Sequence, residues 1–114
     1  MISGQTVIVR IFIEVAKEQA ENIAQNLKQQ IGNVSKTPTI ETYWKEPKWQ
    51  EITLEVPTAE TKPELALQKL AAHLGQGWNF GSEDATAFAI WHPGEQSSFI
   101  IDDVHFANLE VCSE

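Results

Sequence analysis

The pattern of apolar and polar positions changes period along the first part of the chain. From Thr6 to Val15 apolar residues recur at every second position and many are β-branched, which predicts a strand. Ile8 and Phe12 make its other face partly apolar too, so the strand is expected in the middle of a sheet. Residues 16–31 then carry apolar residues at spacings of three and four, which predicts a helix that ends at Gly32 with positive φ.

Alternating apolar positions return on both sides of Pro47 and predict a hairpin. Pairing across a turn centred on Pro47 sets Ile40 opposite Leu54 on the inner face. Tyr43 and Trp49 then lie on the outer face, together with charged residues.

The second half of the chain begins with a helix signal. Thr61 and Glu64 have the spacing of a capping box around Pro63, and a buried leucine stripe runs to Gly75. A polar loop is expected at 81–84. The remaining alternation predicts strands over 85–92, 97–101 and 104–111.

This order of elements predicts one α+β domain over residues 1–114. The first six elements match the ferredoxin-like βαββαβ plan, an antiparallel sheet with two helices on one face, and short additional strands follow at the C-terminus. The length of 114 residues is that of one domain that buries a core without disulfides or metal.

In that plan the helices leave the other face of the sheet open. Ile8, Phe12, Tyr43 and Trp49 are expected there, a patch too large to count as scattered exposure. Three interpretations stay open. The C-terminal strands fold over the patch, two copies of the chain pair there as a homodimer, or a ligand or protein partner binds it.

The negative charge is concentrated in the second half. Residues 64–114 carry eight acids and one base, Lys69, whereas residues 1–63 carry eight acids and seven bases, within a net charge of −8. This balance excludes nucleic-acid binding, which depends on Lys and Arg, and favours a basic protein partner. The candidate contact residues are the acids of the C-terminal loops with two tryptophans: Trp78, Glu83, Asp84, Trp91, Glu95, Asp102 and Asp103.

The residues with metal-ligand or catalytic chemistry form no recognisable set. His92, Asp102, Asp103 and His105 have metal-ligating side chains, but their spacing is that of a turn beside a strand, so no metal or other cofactor is expected. No nucleophile, base and acid can be assembled from the order of residues. Whether the protein is an enzyme stays open, and a non-enzymatic role is favoured.

The location is predicted to be cytoplasmic. The single cysteine, Cys112, is expected to be a reduced thiol, the first residues lack the basic region of a signal peptide, and the apolar runs are too short to cross a bilayer.

The last third of the chain resembles a group of small bacterial proteins. Trp78, an acidic loop, the segment Ala-Ile-Trp-His-Pro at 89–93 and the segment Val-His-Phe-Ala-Asn-Leu-Glu-Val at 104–111 carry the resemblance, with Phe106 in place of a tryptophan. Some of these proteins resemble immunity proteins encoded beside polymorphic toxins. The resemblance implies no catalytic residues and a role in neutralising a toxin.

Two function classes follow from these observations. The first is a non-enzymatic, acidic, protein-binding domain, with toxin neutralisation as its specific form. The alternative is a ferredoxin-like oligomer that binds a small molecule, or performs cofactor-free chemistry, on the open sheet face around Phe12, Tyr43 and Trp49.

Overall fold

Two helices and eight strands make up the described part of the chain. The computed structural model describes residues 5–32, 34–83 and 86–112, and of Cys112 only the backbone. The elements in chain order are β1 (Gln5–Ile13), α1 (Lys17–Ile31), β2 (Thr39–Thr42), β3 (Gln50–Thr58), α2 (Pro63–Leu74), β4 (Gly75–Gln76), β5 (Asn79–Glu83), β6 (Thr86–Trp91), β7 (Ser98–Phe99) and β8 (Val104–Cys112).

The first helix forms where its apolar stripe predicts it. Ala20, Ala24 and Leu27 are its buried residues and lie on one side at spacings of four and three. Gly32 ends the helix in the left-handed region at φ 81°, and its N–H donates to the carbonyl of Lys28 at 2.9 Å. The predictions for this helix and its terminal glycine are confirmed.

Six strands form one antiparallel sheet in the order β2-β3-β1-β8-β6-β5. β4 and β7 form a separate antiparallel pair. The α+β class, the antiparallel sheet and the two helices are confirmed. The predicted βαββαβ order is not matched. The predicted sixth element, the strand over 85–92, corresponds to β6, and β6 pairs with β8 and β5 and not with β1.

The place beside β1 is taken by the last strand, β8. Its apolar residues face those of β1 across the sheet: Val111 pairs with Val7, Leu109 with Val9 and Ala107 with Ile11. All six of these side chains are buried. Of the three interpretations of the open face, the one in which the C-terminal strands fold over it is therefore wrong, since the longest of these strands is part of the sheet.

Both helices pack on the same face of the sheet. One hydrophobic cluster joins the buried residues of α1 and α2 to the inward residues of β1, β3, β6 and β8. The principal members of this cluster are Val7, Val9, Ile11, Ala20, Ala24, Leu27, Ile52, Leu54, Leu67, Ala71, Leu74, Ala89, Ala107 and Leu109. The opposite face of the sheet carries no helix among the described residues.

The hairpin differs from its prediction by two residues in register. Tyr43 N–H donates to the carbonyl of Trp49 at 3.0 Å, so the turn is centred on Glu46 and Ile40 pairs with Ile52. A shift of two residues preserves the faces of a strand, so Tyr43 and Trp49 remain on the outer side.

Three further predictions about the second half differ from the structure. Residues 81–83 are not a loop but the end of β5, which pairs with β6 along its whole length. The capping box does not form, because α2 begins at Pro63 with Lys62 as its N-cap, which leaves the Thr61 hydroxyl one position too early. The predicted strand over 97–101 is reduced to the two residues of β7.

Within residues 5–32, 34–83 and 86–112, neither helix has the length and apolar character needed to cross a membrane.

Candidate functional site

The open face of the sheet carries a continuous group of aromatic rings at one end. We call it the aromatic cluster. It sits where β1 ends, β3 begins and β8 begins, and nothing in the described part of the chain covers it. Its members are Phe12, Tyr43, Trp49, His92, His105 and Phe106.

Three rings of the cluster are stacked in parallel. The planes of Tyr43 and Trp49 differ by 8° with centroids 6.1 Å apart, and the planes of Trp49 and His105 differ by 8° with centroids 4.9 Å apart. Tyr43 and Trp49 are half-buried, and His105 is exposed. The stack therefore presents aromatic surface to solvent.

A second group of rings supports the stack. Phe12 contacts Tyr43 at 4.7 Å and Phe106 at 5.5 Å between centroids. Phe106 and His92 make a T-shaped contact with their centroids 4.9 Å apart. Phe12 is only 8% exposed although its side chain lies on the open face. The neighbouring rings thus give the cluster a small core of its own, separate from the core beneath the helices.

The turn between β2 and β3 places Tyr43 and Trp49 beside each other. Tyr43 N–H donates to Trp49 O, Glu46 N–H donates to Tyr43 O at 3.2 Å, and Trp49 N–H donates to Glu46 O at 2.9 Å. Since the two residues are directly opposite and on the outer side, their rings are brought into contact. Trp44, in the same turn, is 78% exposed, and the Lys45 ammonium lies 5.1 Å from its ring centroid.

A β-bulge directs His105 toward Trp49. β1 and β8 change register between Phe12 and Ile13, because Phe12 pairs with Phe106 and Ile13 with Val104. His105 is the extra residue, and a bulge redirects the side chain of such a residue. Without the bulge, consecutive residues 105 and 106 would point to opposite faces, yet both rings join the aromatic cluster.

Carboxylates flank the cluster on two sides. Glu51 lies opposite Phe12 and Glu41 lies opposite Glu51, which places both on the open face. Asp102 and Asp103 immediately precede β8 and are exposed. Asp103 has a positive φ of 66°, a conformation that aspartate tolerates better than most residues.

Arg10 lies between two glutamates in the middle of the open face. Its Nη1 is 3.3 Å from Glu110 Oε2 and its Nε is 3.9 Å from Glu51 Oε2. It is the only arginine in the chain. The positive charge of Arg10 is thus shared by two carboxylates.

The structure does not bring the predicted acidic contact residues together. Asp102, Asp103 and the exposed Glu95 belong to the segments near the start of β8 and the end of β6. Glu83 is exposed at the other end of β6, which is about 20 Å away for a strand of six residues. Asp84 lies outside the described residues. The acidic residues therefore belong to two separate regions, of which one adjoins the aromatic cluster.

The two predicted tryptophans of this set serve as packing residues. Trp91 is 4% exposed, and its indole N–H donates to the carbonyl of Gln76 at 2.9 Å. Trp78 is half-buried against Phe99, with ring centroids 6.0 Å apart. A partner has no access to the Trp91 ring in this structure, and Trp78 offers only part of its surface.

Both C-terminal histidines belong to the aromatic cluster. His105 stacks on Trp49, and His92 contacts Phe106. Among the residues that the structure describes, no three His, Cys, Asp or Glu side chains are grouped so as to hold a metal ion. Sequence reasoning missed the aromatic role of both histidines. For His105 the reason is the β-bulge, which no local period of the sequence predicts.

Ile8, the fourth residue predicted on the open face, lies at the other half of the sheet. It is half-buried and sits between Glu55 and Glu110 on the neighbouring strands. Beside Glu110 a shallow groove of about 460 Å³ crosses β6 and β8. Its lining residues are Glu83, Thr86, Phe88, Ile90, Asn108 and Glu110.

Comparison of the chain with protein-family models, with curated proteins and with solved structures finds no match in any of the three.

Proposed function

We propose that the chain is a non-enzymatic domain that binds a basic protein partner through the aromatic cluster. The observation that carries this proposal is the uncovered parallel stack of Tyr43, Trp49 and His105, with carboxylates on both sides. Tryptophan and tyrosine are enriched among the residues that dominate protein interfaces, because they offer large rigid surfaces that lose little entropy on binding.

The chemistry of this surface suits lysine and arginine side chains. A guanidinium or ammonium group is attracted to the face of an aromatic ring, and the carboxylates of Glu41, Glu51, Asp102 and Asp103 complement its charge. The Lys45 ammonium over the Trp44 ring is an example of such a contact within the chain. A net charge of −8 adds long-range attraction that raises the association rate.

The narrower form of this proposal is an immunity protein that neutralises a toxin. It is supported by the resemblance of the C-terminal third and by the acidic charge, since toxins that act on nucleic acid are often basic. In that form the partner is a basic toxin domain, and blocking its cationic surface is the mechanism.

We further propose that this fold is a ferredoxin-like βαββαβ fold with an insertion. The neighbours β2-β3-β1-β8, with α1 and α2 on one face, support a βαββαβ plan whose last strand is β8. Residues 75–103, including β5 and β6, are then an insertion between α2 and that last strand.

The test uses the protein as bait for partners in a lysate of its native cell. Wild-type protein is compared with Trp49→Ala and with Glu41→Lys at about 50 mM and about 500 mM salt. We expect one basic protein to be retained by the wild type at low salt, to be lost at high salt, and to be lost by both variants at low salt.

A matched control separates local charge from total charge. Glu64→Lys makes the same change in net charge as Glu41→Lys but lies in the first turn of α2, on the opposite face of the sheet. We expect this variant to retain the partner. Retention that is equal for all the variants, or that is constant from low to high salt, would contradict the proposal.

The groove over β6 and β8 favours a second candidate, a small-molecule site on the open face. Phe88 and Ile90 offer apolar walls, and Asn108 and Glu110 offer polar groups. A compound that binds there should raise the melting temperature of the wild type and leave that of Ile90→Arg unchanged. If a screen of metabolites finds no compound with this effect, the small-molecule site is contradicted.

A further inference from the structure

The two edge strands of the six-stranded sheet differ by one residue in length and by the proline that precedes one of them. β2, at one edge, has only four residues and follows Pro38. β5, at the other edge, has five residues and contains neither proline nor lysine. An edge strand leaves alternate backbone N–H and C=O groups unpaired, and short length, proline and lysine are the usual means of blocking further pairing. β5 lacks proline and lysine and is one residue longer than β2.

β5 is also regular and accessible. All five of its residues pair with β6 without a register shift, and four of the five are exposed. In the described part of the chain its outer side has no strand partner. The backbone of β5 is therefore regular and accessible for pairing with another strand.

Apolar surface accompanies this free edge. Phe80 is 52% exposed, and because it pairs with Ala89 of the core its side chain lies on the helix side of the sheet. Grooves of about 220 and 400 Å³ adjoin it, between β5 and α2. Their lining includes Leu67, Ala71 and Trp78. A strand that pairs with β5 would cover part of this surface.

Gly81 lies at the centre of β5, and the Phe88 ring fills the space beside it on the open face of the sheet. A Cβ atom placed on Gly81 would lie 2.6 Å from Cζ of Phe88 on β6. The Phe88 ring therefore extends over Gly81 toward the free edge. The edge is apolar on both faces, with Phe80 on the helix side and Phe88 on the open side.

We propose that two copies of this chain pair through β5, antiparallel, with Gly81 of one copy opposite Gly81 of the other. The segment is self-complementary in this register. Phe80 of each copy lies opposite Ser82 of the other, and Asn79 lies opposite Glu83, so no like charges are directly opposed. The two Phe80 rings become diagonal neighbours at about 7–8 Å, within the reach of aromatic side chains.

This dimer joins two six-stranded sheets into one continuous sheet. The symmetry axis of an antiparallel pair is perpendicular to the sheet, so the helices of both copies lie on one side and both aromatic clusters on the other. One strand pair with a small apolar flank buries little area, so we expect a dissociation constant in about the micromolar range.

The dimer and the binding of a basic partner have opposite salt dependences. Two chains that each carry −8 repel one another, and salt screens that repulsion, so dimerisation should strengthen between about 50 mM and about 500 mM salt. Partner binding should weaken over the same range. The dimer does not rest on the proposed function, and either can fail without the other.

Sedimentation equilibrium of the purified protein from about 5 μM to about 1 mM, at both salt concentrations, tests the proposal. Phe80→Lys places a charge at the edge and should raise the dissociation constant about tenfold or more. Trp44→Lys is the matched control, because it replaces an exposed aromatic residue by lysine at the hairpin of the other edge, and it should leave the dissociation constant unchanged.

A second measurement needs no variant. Amide hydrogen exchange of the wild type should slow in residues 79–83 as the protein concentration rises, while exchange in β2 stays constant. The proposal would be overturned if the protein is a monomer at every concentration or if the dimer weakens as salt rises. It would also be overturned if Phe80→Lys leaves the dimer intact or if Trp44→Lys abolishes it.

Discussion

At the scale of single residues, Glu60 connects the end of β3 to α2. Its Oε2 lies 2.8 Å from Nζ of Lys69, and its N–H donates to the hydroxyl of Thr58 at 3.1 Å. The hydrogen bond from Lys69, aided by its charge, lowers the pKa of the Glu60 carboxyl from its ordinary value of 4.5. The contact joins residues that lie nine positions apart in the sequence.

The lowered pKa predicts an effect of acid on stability. Because the pKa is lower in the folded chain than in the unfolded chain, the stabilising contribution is present above pH 4.5 and is lost as the pH falls through the folded pKa. Lys69→Met should raise the pKa of Glu60 and reduce stability at neutral pH. The difference from the wild type in urea unfolding should disappear well below the folded pKa.

Titration of the Glu60 carboxyl by NMR checks this prediction directly. Lys17→Met, which removes an exposed lysine of α1, is the control and should leave the Glu60 pKa unchanged. An equal shift of that pKa in both variants would show that general charge, rather than the contact with Lys69, is responsible.

The four tryptophans show how differently one residue type is used. Trp91 is 4% exposed and belongs to the core, Trp44 is 78% exposed, and Trp49 and Trp78 are intermediate. The alternation in the hairpin correctly predicted the outward side of Trp49. The sequence makes Trp91 a contact candidate because it flanks the acidic loop and tryptophan is enriched at protein interfaces. A strand pattern indicates which residues share a face, and not which face is covered, so it could not show that Trp91 is buried.

At the scale of elements, the β4–β7 pair closes the C-terminal end of α2. Gly75 follows the helix directly and pairs with Phe99, and the N–H of Ile100 donates to the carbonyl of Leu74 at 2.8 Å. This bond satisfies a carbonyl that the helix itself leaves unpaired. The backbones approach so closely that a Cβ on Gly75 would lie 2.0 Å from the carbonyl oxygen of Ser98.

Gly75→Ala should therefore destabilise the protein by about 1–3 kcal/mol, the usual cost of forcing atoms into an occupied space. The backbone of Gly75 is extended, so the cost comes from the contact with Ser98 and not from strain in φ. Urea unfolding followed by circular dichroism measures the loss.

Gly94→Ala provides the comparison. A Cβ at Gly94 has its nearest neighbour, the Ser97 hydroxyl, at an ordinary 3.5 Å, so its effect should stay within about 0.5 kcal/mol. A loss at Gly75 no larger than that at Gly94 would contradict the close approach of the two backbones.

At the scale of the whole molecule, β8 decides the architecture. It lies between β1 and β6 and supplies Ala107, Leu109 and Val111 to the core. It also carries His105 and Phe106 of the aromatic cluster. One strand at the end of the chain thus completes both the hydrophobic core and the candidate site.

A chain that ends at Ser97 should lose cooperative folding, because it exposes the buried edges of β1 and β6 and removes three fully buried residues from the core. Thermal unfolding followed by near-ultraviolet circular dichroism measures this loss. Addition of a peptide covering residues 98–112 should restore a cooperative transition. A fragment that remains a folded, soluble monomer would contradict the central role of β8.

The amino-acid sequence by itself determined the features that depend on local geometry. The period of α1, its end at Gly32, the alternation of β1 and the outward side of Tyr43 and Trp49 follow from residues that are neighbours along the chain. The α+β class follows from the same periods. These predictions succeed because helix and strand periods are properties of the backbone.

Only the tertiary structure decided which strand lies beside β1 and which side chains meet. The alternation of β6 and that of β8 are equally compatible with that place, and the choice depends on packing between residues about 100 positions apart, such as Val7 and Val111. The bulge that directs His105 onto Trp49 depends on the same pairing. The aromatic cluster therefore arises from long-range contacts, which no local period encodes.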